Sequence, residues 1–459
     1  MTQQGNRSVP DNPFTKKSVP MARQLLNYAL GLKGKYGITD ARVQISASQT
    51  KKTGVENGRL MKAVKGITHG VSVRLYSGDK TLSVSQDSLD IKQLENSILE
   101  LARNIGHVPD NPNSTPIESK YLYKGPEIDL GRVDPASVSM NELENYALEI
   151  EKGVLQNQGI KAVRSVSASH SFGQSFTLAS NGLESYKART RSSAVAIPIV
   201  ERDGEMVTDA EGSQANFFQD MADPADIGDR AAKKAIAKLN AKLPDSGKQP
   251  VILSPEAAET FIHSVLEAIS GTAVYHKATF LKDKLGQQVI SPEFNLIDDP
   301  SIYKGLASSQ TDNAGMEKKP ITFIGNGVLK EYLMSVSESR LLGRDYIGRN
   351  DGPTNIIVTG GSRSPDDLMS DIDEGVYITE FSGGVADVNT GKFSRQSDGF
   401  VIRNGKITDE PVSGFVLAGN LKDMFAEVVL ANDTPKLPDP YVTDVIPTMR
   451  FDSLTIAGN

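Results

Sequence analysis

In the first part of the chain, apolar residues recur with two different periods, one typical of helices and one typical of strands. Apolar positions three and four residues apart predict helices over residues 22–36 and 90–104. Strict alternation predicts a strand over 41–49, and the Asn57-Gly58 pair predicts a tight hairpin because both residues tolerate a positive φ. This order indicates an antiparallel meander with helices on one side.

A second segment repeats this order of elements. Helical spacing predicts helices over 141–158 and 226–239, and alternation predicts strands over 161–169 and 171–180. Asn181-Gly182 marks the turn that follows. The fold class predicted is therefore α+β, with an N-terminal region of antiparallel sheet and helices followed by a strand-rich C-terminal domain.

Proline-rich stretches suggest where the domains begin and end. Residues 1–20 are polar and predict a flexible N-terminal tail, and residues 21–240 form the predicted N-terminal α+β domain. A proline-rich crossing over 107–135 divides that domain into subsegments 21–105 and 136–240. The boundary segment 242–250 precedes the predicted C-terminal domain, residues 250–459.

Glycine turns and one helix start organise the C-terminal part. Asn326-Gly327 and Asn404-Gly405 predict hairpins, and residues 449–456 alternate like a strand. Ser364 followed by proline predicts a helix that would end at Gly375.

Composition excludes several classes of site. The net charge is −7 and no basic face is visible in the sequence, so direct nucleic-acid binding is not expected. Pairs such as Lys318-Lys319 are interpreted as solvated loop charges. The chain has no cysteine, which excludes thiolate ligands and cysteine nucleophiles and favours the cytoplasm. The N-terminus lacks an apolar signal region, and no apolar stretch could span a membrane.

One predicted helix carries the strongest candidate chemistry. Ser254-Pro255 is a strong helix start, and His263 and Glu267 share one polar face because they are four residues apart. Zinc hydrolases place two histidines about one turn apart on such a helix, with a glutamate after the first as general base. Here Ser264 stands in the base position, and neither Glu267 nor Ala268 is a histidine.

Several interpretations of this region stay open. His263 is a polar-face residue bonded to Glu267 or to the backbone, or it joins Glu267 and His276 in a metal site. Gly383 and Gly384 either border a groove for an extended peptide or only permit a bulge and close packing.

The order of short motifs along residues 21–459 resembles the TldD/PmbA family, and in particular its PmbA (TldE) branch. The matching segments are 55–60, 70–74, 262–280, 304–308, 325–329, 381–384, 390–391 and 417–424. The resemblance implies a two-subunit peptidase in which members with His-Glu-x-x-x-His and a distant cysteine bind zinc. When this motif is matched to the present sequence, His263 corresponds to the first zinc ligand. Ser264 stands in place of the general base, and Ala268 stands in place of the second zinc ligand.

The function expected from this resemblance is a non-catalytic subunit, or homologue, of a metallopeptidase complex that handles unfolded peptides. Zinc would belong to a TldD-like partner, which is a paralogue or a second copy of this chain. One alternative is a metallopeptidase with unorthodox metal ligands. The other is a regulator of a topoisomerase, since the family is also labelled a modulator of DNA gyrase. The candidate peptide-groove residues are His263, Glu267, Gly383 and Gly384.

Overall fold

The N-terminal half is built around one antiparallel sheet. In a computed structural model, residues 9–202, 204–239 and 241–458 are described. The helices of this half are α1 Pro13–Gly31, α2 Lys33–Tyr36, α3 Ile91–Asn104, α4 Met140–Leu155 and α5 Pro224–Leu239. The strands are β1 Asp40–Glu56, β2 Arg59–Ser77, β3 Lys80–Gln86, β4 Ile160–Ala179, β5 Glu184–Arg202, β6 Glu205–Thr208 and β7 Glu211–Ala215.

The two subsegments expected from the sequence share this single sheet. Its strand order is β3-β2-β1-β4-β5-β6, and β7 pairs with β5 beside β6. The joint between the subsegments is the long antiparallel pairing of β1 with β4, which runs from Arg42 opposite Ala179 to Val55 opposite Val166. The N-terminal domain is thus one continuous layer of strands rather than two small sheets.

The helices cover one face of this sheet. Val43 and Ile45 of β1 pack with Leu25 of α1 and Ile98 of α3 in one buried cluster. Val55, farther along the same strand, packs in a second cluster with residues of α4 and α5. Because side chains alternate along a strand, the odd-numbered positions of β1 meet the helices and the even-numbered positions form the opposite, outer face.

The C-terminal domain contains two further sheets and short helices. Its helices are α6 Pro255–Ala268, α7 Gly271–Tyr275, α8 Val336–Leu342, α9 Pro365–Met369 and α10 Leu421–Ala426. Its strands are β8 Gly247–Leu253, β9 Asn295–Asp299, β10 Ile321–Gly325, β11 Val328–Leu329, β12 Asn355–Thr359, β13 Glu374–Ser382, β14 Lys392–Arg403, β15 Lys406–Asn420, β16 Val429–Leu430 and β17 Met449–Ala457.

One core joins the two C-terminal sheets with helix α6. The sheets have strand orders β11-β10-β9-β12 and β15-β14-β13-β8-β17-β16. Phe261 of α6, Phe323 of β10 and Phe415 of β15 are fully buried in the same cluster. A fully buried ion pair, Arg349 Nε to Asp298 Oδ2 at 2.5 Å, anchors a loop to the end of β9. The α+β class predicted from the sequence is confirmed.

Two predicted boundaries are wrong. The tail predicted for residues 1–20 overlaps α1, which begins at Pro13 because the Asn12 side chain accepts hydrogen bonds from the amides of Phe14 and Thr15. Residues 1–8 lie outside the described residues. The helix predicted to reach Gly375 ends at Met369, because Gly375 belongs to β13 and that strand continues into a buried pairing with β8.

No helix in the described part of the chain has the length and apolarity needed to cross a lipid bilayer.

Candidate functional site

Helix α6 presents a buried apolar side and a polar side. The Ser254 hydroxyl caps the helix by accepting a hydrogen bond from Ala257 N at 3.2 Å, and Pro255 occupies the first turn. Phe261 meets the rings of Phe381 and Phe393 edge-on, which fixes the rotation of the helix against β13 and β14. The polar side is thereby turned away from the core.

His263 lies on that polar side between two carboxylates. Its Nε2 is 3.4 Å from Glu259 Oε1, one turn earlier on α6, and 3.9 Å from Asp444 Oδ2 in the loop before β17. Asp444 Oδ1 accepts a hydrogen bond from Ile356 N at 3.0 Å, which ties the loop to β12. Helix, strand and loop therefore converge on one imidazole.

The electrostatics of this group favour protonation. The pKa of His263 is raised, first by its hydrogen bond with Glu259 and further by the charges of Glu259 and Asp444. Burial raises the pKa of Asp444 to about 6, although the amide of Ile356 and the imidazole act in the opposite direction. With a pKa of about 6, the carboxyl of Asp444 gains its negative charge as the pH rises toward neutrality.

The three side chains fit a divalent cation. Their ligand atoms all lie within 4.8 Å of one another. Ligands at the usual bond lengths around a tetrahedral zinc ion are separated by roughly 3.3–3.5 Å, so the 3.4 and 3.9 Å separations from the imidazole need little adjustment. The third separation, between the two carboxylate oxygens, is at most 4.8 Å. One imidazole and two carboxylates are also chemically suitable ligands. Binding would displace the protons that the raised pKa values indicate.

The positions carried over from the family's zinc helix do not face this group. The Ser264 hydroxyl is buried and donates to Thr260 O at 3.2 Å, so it bonds its own helix. Ala268 is fully buried in the C-terminal core. Neither Ser264 nor Ala268 is therefore directed toward the imidazole of His263.

The partner expected for His263 is corrected. Its side-chain partner on the helix is Glu259, four residues before it, and not Glu267. Glu267 and His276 are exposed, and among the described residues the group able to hold a metal contains neither of them. Helical spacing allows either neighbour, and in the structure the imidazole lies between Glu259 and Asp444.

Gly383 and Gly384 form a turn after β13. Their φ angles are 56° and 64°, which side-chain-bearing residues rarely adopt. An added Cβ would meet nothing at Gly383 and would lie 3.1 Å from Ser394 O at Gly384. The glycines serve the turn geometry, and their role in a peptide groove stays a prediction.

Sequence reasoning missed two members of the site. Glu259 could have been found, because it precedes His263 by one helical turn. Asp444 carries no local signal, since it reaches the helix only through the packing of its loop on β12.

Comparison with known proteins places the chain in a family. Residues 133–239 match the model of the PmbA/TldA metallopeptidase central domain, and residues 246–458 match that of the PmbA/TldA metallopeptidase C-terminal domain. The chain belongs to the PmbA/TldD metallopeptidase family. The second match begins one residue before β8, where the C-terminal domain starts in the structure.

Relatives in this PmbA/TldD family match most of the chain. Metalloprotease PmbA of Escherichia coli is 28% identical over 368 residues, covering 79% of this chain and 81% of the relative. A PmbA homologue from Haemophilus influenzae is 26% identical over 448 residues, covering 95% and 96%.

Solved structures share the PmbA/TldD fold. A candidate modulator of DNA gyrase from Bacteroides thetaiotaomicron superposes with a TM-score of 0.89 at 24% identity, covering 97% of this chain and all of that one. TldE from Thermococcus kodakarensis superposes with a TM-score of 0.80 at 17% identity, covering 95% of this chain.

Proposed function

We propose that this chain is a subunit of a peptidase complex that binds unfolded peptides but does not cleave them by itself. The observation that supports the proposal is the identity and burial of the residues on α6 at the positions of the general base and the second zinc ligand. The base position holds a buried serine hydroxyl bonded to Thr260 O, and the second ligand position holds the fully buried Ala268. A partner with a complete His-Glu-x-x-x-His site would hold the zinc, and the absence of cysteine fits a cytoplasmic location.

A reconstitution assay tests this proposal. The purified chain, a zinc-bearing partner and their mixture would each receive an unfolded protein substrate, and cleavage would be followed with time. We expect cleavage by the mixture and co-elution of the two chains in size-exclusion chromatography. Zinc-dependent cleavage by this chain alone, abolished by His263→Ala, would overturn the proposal.

A second candidate function is metal-dependent hydrolysis by this chain itself. The observation that favours it is the convergence of Glu259, His263 and Asp444, whose ligand atoms lie within 4.8 Å of one another. These three side chains would hold the ion, and a bound divalent ion would supply Lewis-acid activation of water. Glu259 and Asp444 would also position the imidazole through the contacts described above.

Metal titration separates the two candidates. Cobalt or zinc binding to the full chain would be measured by calorimetry, alongside His263→Ala and the control His276→Ala, which changes an exposed histidine outside the group. The second candidate requires about one ion per chain, lost in His263→Ala and kept in His276→Ala. Absence of binding in the parent chain removes the second candidate and leaves the first.

A further inference from the structure

A large cavity lies between the outer face of the N-terminal sheet and loops of the C-terminal domain. Its volume is about 780 Å³. The cavity is lined from β5 by Lys187, Arg189 and Arg191. Their partners on β4 are Ser175, Gly173 and Ser171, which lie at positions on the sheet face away from the helices. Residues 306–309 and Asp351 line it from the C-terminal domain. The cavity therefore has walls from both domains.

The cavity is strongly cationic in an acidic chain. The lysine and arginine side chains that line it are those of Arg132, Lys187, Arg189, Arg191 and Lys318. Against these five, the lining contains one carboxylate, that of Asp351, although the whole chain has a net charge of −7. Positive charge is concentrated here and is not a general property of the surface.

Most of this charge has no carboxylate partner. Lys318 Nζ is paired with Asp351 Oδ1 at 2.8 Å. Among the ion pairs of the described residues, none includes Arg132, Lys187 or Arg189. Asp351 is the one acid of the lining, so four guanidinium and ammonium groups remain without a counter-charge within it.

The contacts that hold two of these cations are neutral. Lys187 Nζ donates to Thr311 O at 2.6 Å and to Asp312 O at 3.1 Å. Arg191 donates to Gln214 Oε1 at 2.9 Å and to Leu306 O at 3.0 Å, while its Nε is buried without a hydrogen-bond partner. Backbone carbonyls hold these groups without an ion pair, and the more distant charges of Asp351 and Asp312 offset only part of the effect of burial on Lys187.

Burial and mutual repulsion lower the pKa values of three of these cations. Burial lowers the pKa of Lys187 to about 8. The pKa of Arg132 is lowered by burial and then by the charge of Arg189, and the pKa of Arg191 is lowered for the same two reasons. Like charges at alternating positions of one strand lie about 7 Å apart, so they repel one another unless an anion lies between them.

The chemistry of the lining selects among polyanions. Among the described residues that line the cavity, the imidazole of His69 is the one aromatic ring, so the series of aromatic rings on which successive bases of a single-stranded nucleic acid stack is not present. Serine hydroxyls of β1 and β4, such as Ser46, Ser48 and Ser175, offer hydrogen bonds to a peptide backbone. Four unpaired cations require more negative charge than one terminal carboxylate provides.

From these observations we propose that the cavity binds the carboxylate side chains of an extended acidic peptide. This inference rests on the proposed peptide-handling function and names the substrate class that the subunit would select. Arg189 would make the main adjustable contact, because it is exposed and lies between Lys187 and Arg191 on the same face of β5.

Fluorescence anisotropy with the full chain tests the inference. The probes are a short unstructured glutamate peptide with an amidated C-terminus, the same peptide with glutamine at every acidic position, and the glutamine peptide with a free C-terminus. We expect the glutamate peptide to bind at least about tenfold more tightly than either glutamine peptide, and to weaken as ionic strength rises from about 0.05 M to about 0.5 M.

Variants locate the binding site. Arg189→Gln should weaken binding of the glutamate peptide by about tenfold, and Arg189→Lys should retain most of it because the charge remains. The matched control is Arg164→Gln, which removes another exposed arginine of the same sheet; Arg164 belongs to β4 but is not one of the residues that line the cavity. It should leave the affinity unchanged.

Each contrary outcome has a distinct meaning. Equal affinity for glutamate and glutamine peptides overturns the acidic-peptide inference but leaves the subunit role intact, since that role is judged by cleavage in the reconstituted pair. Equal binding of the free C-terminus peptide overturns the assignment to side-chain carboxylates. Tighter binding of a single-stranded oligonucleotide, or binding of inorganic phosphate without any peptide, also overturns it.

Discussion

The carboxylate of Asp444 lies 3.9 Å from Nε2 of His263, although one residue belongs to a C-terminal loop and the other to helix α6. The carboxylate is largely buried, with 11% of its side chain exposed, whereas the imidazole is 57% exposed. An acid held in this way costs stability in its charged form unless a cation accompanies it. The pairing therefore links the pH dependence of folding to the candidate site.

Asp444→Asn should stabilise the protein at neutral pH. The folded-state pKa of about 6 lies above the ordinary 3.8, so the folded form binds more protons between these values and stability falls as pH rises through them. Asparagine keeps an acceptor for Ile356 N and removes the charge. We expect a gain of up to about 3 kcal/mol above pH 7 and almost none below about pH 4.

Urea unfolding across this pH range, after chelator treatment, measures the effect of Asp444→Asn. Asp409→Asn is the control, because Asp409 is an exposed carboxylate in β15 and should show no such trend. A loss of stability in Asp444→Asn at neutral pH would mean that the native carboxylate is favourably ionised.

Restoring the family motif should not restore a zinc site. Ser264→Glu combined with Ala268→His would place a carboxylate and an imidazole at two buried positions. We expect a loss of about 2 kcal/mol or more from overpacking and burial of polar groups, with no gain in bound zinc. Unfolding curves and metal analysis check this, and a stable double variant with stoichiometric zinc would contradict it.

Arg349→Met should strongly destabilise the C-terminal domain. The Arg349 side chain is fully buried against Asp298, which also accepts a hydrogen bond from Thr354 N at 2.9 Å. Removing one partner leaves a buried charge, at a cost of about 3–5 kcal/mol. Arg403→Met is the matched control, since its pair with Glu410 is exposed and should contribute less than about 1 kcal/mol. Equal effects in denaturant unfolding would contradict this account.

Gly228→Ala should destabilise the packing of α4 on α5. A Cβ at this position would lie 2.2 Å from Ile150 O and 2.6 Å from Val154 N, so the helices would have to separate. We expect a loss of about 1–3 kcal/mol in spite of the better helix propensity of alanine. Gly31→Ala, where nothing lies within 4 Å, should be neutral or slightly stabilising in the same thermal assay.

Local chemistry made much of the fold predictable. The Asn57-Gly58 turn has φ angles of 53° and 70°, as its residues predict, and Ser254 caps α6. The errors arise where tertiary contacts decide the outcome. Gly375 follows a well-capped helix start, yet burial of β13 beside β8 makes it part of a strand.

The binding surfaces were harder to predict than the fold. Lys318 was interpreted as a solvated loop charge, but its side chain is 3% exposed and paired with Asp351. The alternation of Lys187, Arg189 and Arg191 is visible in the sequence and predicts one charged strand face. That this face meets the loop at 306–309, and so encloses a cavity, depends on the packing of the two domains and has no local signal.

The position of the cationic cavity between two domains has a mechanical consequence. Lys187 and Arg191 of the N-terminal sheet already join the C-terminal loops, because they donate hydrogen bonds to the carbonyls of Thr311, Asp312 and Leu306. An anion that contacts both walls would add further links between the two domains. By mass action it would stabilise the arrangement in which the domains enclose the cavity, by RT ln(1 + [L]/Kd). Binding of an acidic peptide and the packing of the two domains are then thermodynamically linked, so a bound peptide would make the separation of the domains less favourable.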